Sequence, residues 1–167
     1  MKKIIKNILK NFDYRLIKIS KNNNSFDILL NLLRKKKIQF TFDIGANKGQ
    51  FSKKLRDYGY LDKIVSFEPL SGEYEVLKKN SLNDNKWEIY PKCALGNFDG
   101  NININVSTYS PSSSILNFSK IHQEAKPEAK MVKNETCPIY KLDTVINELK
   151  LQNINYCMKI DTQGYEK

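Results

Sequence analysis

The chain has 167 residues, 40% hydrophobic and 28% charged, with a formal net charge of +10. This length suits one domain with a substantial core, and the composition is typical of folded proteins. No apolar run reaches the roughly 18 residues that a transmembrane helix needs, and the first residues lack the cleavage site of a secretory signal.

The positive charge is concentrated at the N-terminus. Residues 1–37 contain 11 basic and 2 acidic side chains, a balance of +9, whereas residues 38–167 contain 17 basic and 16 acidic side chains. A domain that bound nucleic acid over a broad face would carry its own basic surplus. We therefore predict a basic helical extension, residues 1–37, followed by a domain, residues 38–167, with no nucleic-acid partner.

Two helices are predicted within the extension. Apolar residues at helical spacing, with lysines between them, indicate an amphipathic helix over residues 4–12. A polar break at residues 20–25 separates it from a second helix over residues 26–37. The first helix either docks on the domain, which we favour, or makes weak contact with an anionic membrane surface.

From residue 38 the pattern alternates between strands and helices. Strands are predicted at residues 38–43, 63–67, 87–92 and 155–161, and helices at residues 49–58, 70–81 and 142–150. This order predicts an α/β fold with a parallel sheet and right-handed crossovers. Residues 101–108 alternate polar and apolar side chains, and we expect them to pair with residues 133–140 as a small antiparallel insertion.

An acid and two glycines follow the first predicted strand, in "FDIGANKG". Asp43 ends the strand, and Gly45 and Gly49 allow a tight turn and the close approach of a ligand. Ligands of open parallel sheets bind at the carboxyl ends of the strands. The pattern departs from the Gly-x-Gly-x-x-Gly of dinucleotide-binding folds. The acid in front favours a cationic ligand, such as the amino or sulfonium group of S-adenosylmethionine.

A second acid, Glu68, ends the second predicted strand, in "KIVSFEP". A carboxylate at this position of a nucleotide-binding sheet can accept both hydroxyls of a ribose. The alternative is that Asp43 and Glu68 only cap the following helices, which requires two coincidences. The two ordered motifs together favour a nucleotide-like cofactor.

Six motifs occur in an order that resembles the FkbM family of S-adenosylmethionine-dependent methyltransferases. They are "FDIGANKGQFSKKLRDYGY", "SFEPLSGEYEVL", "CALGN", "SPSSSIL", "KLDTV" and "MKIDTQGYE". The resemblance runs from about Phe26 to Lys167. It implies a Rossmann-like class I methyltransferase with a doubly wound sheet and S-adenosylmethionine as cofactor. It also implies methyl transfer to a hydroxyl of a sugar, polysaccharide, lipid-linked precursor or other small molecule.

The resemblance further implies roles for residues at the cofactor. Those expected along its methionine side are Asp43, Gly45, Asn47 and Gly49. Glu68 would hold the ribose. Those expected at the adenine are Pro69, Leu70, Ala94 and Leu95.

On the acceptor side, the resemblance implies three residues. Asp161 ends the fourth predicted strand, and we expect it to act as base or to position the acceptor. Many family members have an acid where this chain has Gln163, which can orient a hydroxyl but cannot act as a base. Glu166 matches the family pattern and supports either the fold or the chemistry. Because methyl transfer is a displacement at an activated sulfonium, alignment carries much of the rate.

Several other classes are disfavoured. The chain lacks the Asn/Asp-Pro-Pro-aromatic motif of enzymes that methylate amino groups of nucleic acids, and we assign no metal because no defined ligand set is present. The three cysteines share no metal-type spacing, so we expect buried, reduced thiols in a cytoplasmic protein.

The fold that the resemblance implies has seven strands, and its later strands would follow the fourth-strand motif. We therefore expect a sheet that is incomplete at the C-terminus, with the fourth strand as an exposed edge. On this interpretation the chain is a fragment with little activity of its own. The alternatives are a non-catalytic nucleotide-binding half-domain, a nicotinamide oxidoreductase, which the acid before the glycines disfavours, and a module that binds membranes or nucleic acid through the basic N-terminus.

Overall fold

The computed structural model describes residues 25–107 and 131–162. In chain order the elements are α1 (Ser25–Lys35), β1 (Phe40–Ile44), α2 (Gln50–Asp57), β2 (Lys63–Phe67), α3 (Ser71–Ser81), β3 (Trp87–Ile89), β4 (Ala94–Gly96), β5 (Gly100–Ser107), β6 (Met131–Lys141), α4 (Leu142–Glu148) and β7 (Tyr156–Ile160). A parallel sheet with the strand order β3-β2-β1-β7 lies at the centre. The chain moves outward from β1 on one side and then returns to its other side, which confirms the doubly wound α/β fold.

Helices cover both faces of this sheet. One face packs against α1, α2 and α3, where the buried residues are Leu30, Leu33, Ala46, Leu55, Tyr60, Ile64, Leu77 and Trp87. The other face packs against α4, with Phe40, Phe42, Ile44, Val65, Phe67, Tyr90, Cys93, Leu95, Val145 and Leu151. Side chains alternate along a strand. The phenylalanines of β1 therefore lie on the face of the sheet that packs against α4, and Thr41 and Asp43 lie on the face that packs against α2. This alternation buries Asp43 beneath α2.

The predicted insertion is a second sheet with the strand order β4-β6-β5. β5 and β6 pair antiparallel, as predicted, but β4 pairs with β6 in parallel, so the sheet is mixed. The sequence did not indicate β4, because a strand of three residues is too short to show alternation. Ile104, Cys137 and Ile139 pack with Leu70 and Ala94, so the insertion closes over the residues that follow Glu68.

The second predicted helix, α1, contributes to the core of the domain. Leu30 and Leu33 join the same buried cluster as Leu55, and the ring of Phe26 lies 5.6 Å from that of Phe51. The boundary between residues 37 and 38 stays a prediction. The helix predicted over residues 4–12 lies outside the described residues.

The two edge strands of the central sheet are β3 and β7. β3 stops at Ile89, earlier than the predicted residue 92, because Pro91 has no N–H to donate to a neighbouring strand. Within the described residues β7 pairs only with β1, and Met158 and Ile160 are 38% and 46% exposed.

Cys157 on this strand is only half-buried, whereas Cys93 and Cys137 are buried as predicted. No helix in the described ranges is long and apolar enough to cross a membrane.

Candidate functional site

The carboxyl ends of β1 and β2 meet, because the strands are parallel and Ile44 is in register with Phe67. The backbone N–H of Asn47 donates to Glu68 Oε2 at 2.7 Å, and the N–H of Leu70 donates to Oε1 at 3.0 Å. Glu68 is 4% exposed. Each of its oxygens accepts one of these bonds and has the capacity for another. The structure therefore brings the glycine motif and the second acid together through one carboxylate.

Burial has a large effect on this carboxylate. Desolvation raises the pKa of Glu68 from 4.5 to about 7, although the hydrogen bonds from Leu70 and Asn47 act to lower it. Near neutral pH the group is thus close to half ionised. The ionised form is the one that can accept hydrogen bonds from both hydroxyls of a diol.

Asp43 is fully buried, and partners from the chain surround its carboxylate. Ser52 Oγ donates to Oδ2 at 2.7 Å, and Lys159 Nζ lies 3.0 Å from Oδ1. This ion pair lacks hydrogen-bond alignment, so Oδ1 accepts no hydrogen bond from the part of the chain that the structure describes. The cation beside Asp43 in this structure is therefore the ammonium of Lys159.

A line of buried donors continues behind Ser52. Trp87 Nε1 donates to Ser66 Oγ at 2.9 Å, and the hydroxyls of Ser66 and Ser52 are 3.2 Å apart. Because Ser52 uses its proton on Asp43, Ser66 donates to Ser52 in turn. Neither serine was predicted, since a single polar residue on the buried face of a helix, as Ser52 is, or of a strand, as Ser66 is, leaves no pattern in one sequence.

Lys159 lies at the carboxyl end of β7 and is in register with Asp43. Its Nζ donates to the carbonyl oxygens of Gly45 at 2.8 Å and Ile44 at 3.3 Å, and lies 3.9 Å from Asp161 Oδ2. The sequence analysis did not select this residue. The available signal was a lysine inside the strand "YCMKI", where a charge is unusual without a partner.

The two glycines are required by contacts within the chain. Gly45 has φ +69°, and a Cβ there would lie 2.0 Å from the carbonyl oxygen of Asp161. Gly49 has φ +83°, and its Cβ would lie 2.6 Å from the ring of Trp87. Both conformations are ones that side-chain-bearing residues adopt rarely. A role of these glycines in ligand approach stays a prediction.

The structure also brings Asp161 to the glycine motif. Its backbone N–H donates to the Ile44 carbonyl at 3.1 Å, which continues the pairing of β7 with β1. Its side chain is 55% exposed, unlike the enclosed carboxylates of Asp43 and Glu68. Gln163 and Glu166 lie outside the described residues.

The residues predicted at the adenine form an apolar group beside Glu68. Leu70 and Ala94 are buried in one cluster, Leu95 is buried in the neighbouring cluster, and Pro69 is half-buried. Glu135 of β6 links the insertion to this region, because it accepts hydrogen bonds from the N–H of Ser71 and from Lys92 Nζ, each at 2.9 Å. In residues 25–107 and 131–162 no group of three or more His, Cys, Asp or Glu could hold a metal ion.

Comparison with known proteins adds one family match. The model of the methyltransferase FkbM domain matches residues 43–167. A search of curated proteins returned no match.

Three of the solved structures that match part of the chain carry methyltransferase assignments. A protein assigned as a caffeoyl-CoA O-methyltransferase from Staphylococcus aureus has a TM-score of 0.35 and 13% identity, over 53% of this chain and 42% of that one. One assigned as an RNA methyltransferase from Pyrococcus horikoshii has a TM-score of 0.32 and 17% identity, over 57% and 58%. Coclaurine N-methyltransferase bound to N-methylheliamine and S-adenosylhomocysteine has a TM-score of 0.30 and 13% identity, over 50% and 31%. The chain thus spans less than two thirds of each of these proteins.

Proposed function

The chain belongs to the FkbM methyltransferase family, and we propose on this basis that it transfers a methyl group from S-adenosylmethionine to a hydroxyl. The acceptor we propose is a sugar, a polysaccharide or a lipid-linked precursor. The observation that carries the proposal is the hydrogen bond between Asn47 and Glu68, which joins the two strand-end motifs into one site. A cytoplasmic location, the lack of a nucleic-acid partner and a weak membrane contact of the N-terminus remain predictions.

The chemistry of the residues fits this cofactor. Glu68 is an enclosed carboxylate whose oxygens each accept one hydrogen bond from the described residues and have the capacity for a second, which suits the two hydroxyls of a ribose. Leu70 and Ala94 supply a buried apolar surface next to it, which suits the flat face of an adenine. When bound, the cofactor supplies a methyl group on a positively charged sulfur.

The residues of the chain would then bind and align the reactants. Glu68 would fix the position of the ribose, and the loop from Gly45 to Gly49 would set the position of the methionine part. Asp161 has an exposed carboxylate next to the glycine loop, so it would orient the acceptor hydroxyl or accept its proton. Alignment of a nucleophile with an activated methyl group supplies a large part of such a rate, so a strong base is not required.

A methyl-transfer assay tests the proposed acceptor class. The product of the whole gene is incubated with S-adenosylmethionine labelled in the methyl group and with matched acceptors, a panel of sugars and the corresponding amino sugars. We expect label in an ether linkage for the sugars, and a lower rate for Asp161→Asn. Label only on nitrogen would contradict the hydroxyl assignment.

A further inference from the structure

Lys159 connects three parts of the site at one atom. Its Nζ contacts the buried carboxylate of Asp43, the Gly45 carbonyl of the glycine loop and, at 3.9 Å, the carboxylate of Asp161. The side chain is 21% exposed, so most of it lies within the protein. An ammonium group can donate to several acceptors at once, which allows a single residue to hold all three segments.

One role for Lys159 is to neutralise Asp43. Burying a carboxylate without a compensating charge is costly, and Asp43 is fully buried with Ser52 as its only hydrogen-bond donor in the described residues. Ion pairing alone, however, does not require the contact with the backbone. The shortest contact of Nζ is the one to the Gly45 carbonyl, at 2.8 Å, rather than the one to Asp43.

The contact with Gly45 constrains the loop that leads to Glu68. Gly45 and Asn47 both have positive φ angles, +69° and +52°, so the direction of each peptide in this turn is specific. The N–H of Ala46 donates to the Phe67 carbonyl and the N–H of Asn47 donates to Glu68. The Gly45 carbonyl and the Ala46 N–H share one peptide plane, so holding this carbonyl sets the direction of the Ala46 N–H and of the peptide that leads to the Asn47 N–H.

We propose that Lys159 is a positioning residue of the cofactor site, anchored by Asp43, and that it holds the glycine loop in the conformation in which Asn47 binds Glu68. The inference rests on the proposed function, because it assumes that this loop and Glu68 bind the cofactor. It assigns Asp43 a role that differs from direct contact with a cationic ligand. The buried carboxylate, with Ser52 behind it, orients Lys159, and Lys159 orients the loop.

A set of variants distinguishes two roles of Lys159, holding the glycine loop in position and neutralising the charge of Asp43. Lys159→Met removes the ammonium, and Asp43→Asn/Lys159→Met removes both charges, so the double variant contains no buried unpaired carboxylate. Lys63→Met is the control, because Lys63 also lies on the central sheet and its ion pair with Glu88 is exposed. The measurements are thermal unfolding, affinity for S-adenosylhomocysteine by calorimetry, and hydrogen exchange of the Asn47 amide by NMR.

We expect Lys159→Met to weaken S-adenosylhomocysteine binding about tenfold to a hundredfold, the range for loss of a hydrogen bond to a charged group. Lys159→Met should also lower the thermal stability and speed the exchange of the Asn47 amide. The double variant should regain the lost stability, but its binding should stay weak and its Asn47 amide should still exchange fast. Lys63→Met should change none of these quantities.

Two results would overturn the inference and leave the proposed function intact. One is recovery of both stability and affinity in the double variant, since Lys159 would then only neutralise Asp43. The other is unchanged affinity and unchanged Asn47 exchange in Lys159→Met. If the wild-type chain folds but does not bind S-adenosylhomocysteine, the proposed function fails, and the cofactor role of Lys159 fails with it.

Discussion

The backbone N of Asn47 lies 2.7 Å from the carboxylate of Glu68, and this hydrogen bond joins two residues that are 21 positions apart in sequence, each just after a strand. Asn47 reaches this position through a left-handed turn, with φ at +52°. Glu68 is held on its other oxygen by Leu70. The site is thus assembled from backbone groups of two neighbouring loops, with one side chain between them.

The pKa of Glu68 predicts that cofactor binding depends on pH. Burial raises that pKa to about 7, and the hydrogen bonds that we propose between Glu68 and the two ribose hydroxyls need the ionised carboxylate. We therefore expect S-adenosylhomocysteine to bind up to about tenfold more weakly at about pH 6 than at about pH 8, with release of protons near pH 7. Calorimetry in buffers of different ionisation enthalpy measures this release. Equal affinity at both pH values would contradict the role of Glu68.

The same pKa has the opposite effect on folding. Because the folded pKa exceeds the unfolded value of 4.5, the folded chain holds the proton more tightly between these two values. The contribution of Glu68 to stability is therefore fully present below about pH 4.5 and is lost as the pH rises through about 7. Glu68→Gln should remove this part of the pH dependence of the free energy of unfolding, and an unchanged profile would exclude Glu68 as its source.

Gly49→Ala should destabilise the fold by about 2 kcal/mol or more, since it combines a strained φ with overpacking. The added Cβ would lie 2.6 Å from Trp87 and 2.8 Å from Leu77. Gly72→Ala in α3 is the matched control, because nothing lies within 4 Å of the added Cβ. It should be neutral or stabilise the helix by up to about 1 kcal/mol. Urea unfolding compares the two, and similar losses would contradict the packing argument.

Arg56 should be a major source of stability outside the site. It is 8% exposed, forms an ion pair with Asp84 at 2.7 Å, and donates to the carbonyls of Tyr60, Asp62 and Lys86. Arg56→Met should cost about 2–4 kcal/mol, because it leaves the partly exposed carboxylate of Asp84 without its ion-pair partner and the three carbonyls without this donor.

The exposed pair of Lys63 and Glu88 provides the comparison for Arg56. Their side chains are 46% and 47% exposed, so Lys63→Met should cost less than about 1 kcal/mol. Chemical denaturation of both variants measures the difference. A cost for Arg56→Met as small as that for Lys63→Met would show that its contacts do not stabilise the fold.

Ser52→Ala should cost about 1–3 kcal/mol, because Asp43 Oδ2 would lose its donor in a buried position. Ser81→Ala is a suitable control, since the Ser81 hydroxyl makes an exposed hydrogen bond to a carbonyl of its own helix, Lys78 O. Thermal unfolding of the two variants gives the comparison. Equal effects would mean that the donors behind Asp43 do not support it.

The sequence predicted the central sheet because its signals are local. Apolar runs that end in Asp43 and Glu68, separated by a helical pattern, were sufficient to predict parallel strands and to place both acids at one edge of the sheet. The contacts of Asp43 were not predictable, because Lys159 is more than a hundred residues away and only the register of β7 brings it near. The sequence predicted that glycine is needed at positions 45 and 49, but not which neighbours exclude a side chain there. The Asp161 carbonyl lies next to Gly45, and the Trp87 ring next to Gly49, only in the folded chain. β4 was missed because three residues carry no pattern.

The most direct test is a calorimetric titration of S-adenosylhomocysteine into the 167-residue chain, after its cooperative unfolding has been verified. We predict saturable binding at one site, lost in Glu68→Ala and retained in Glu75→Ala, whose side chain is 62% exposed in an ion pair with Lys78. A folded chain that gives no binding, or whose binding is unaffected by Glu68→Ala, would contradict the cofactor site at the ends of β1 and β2.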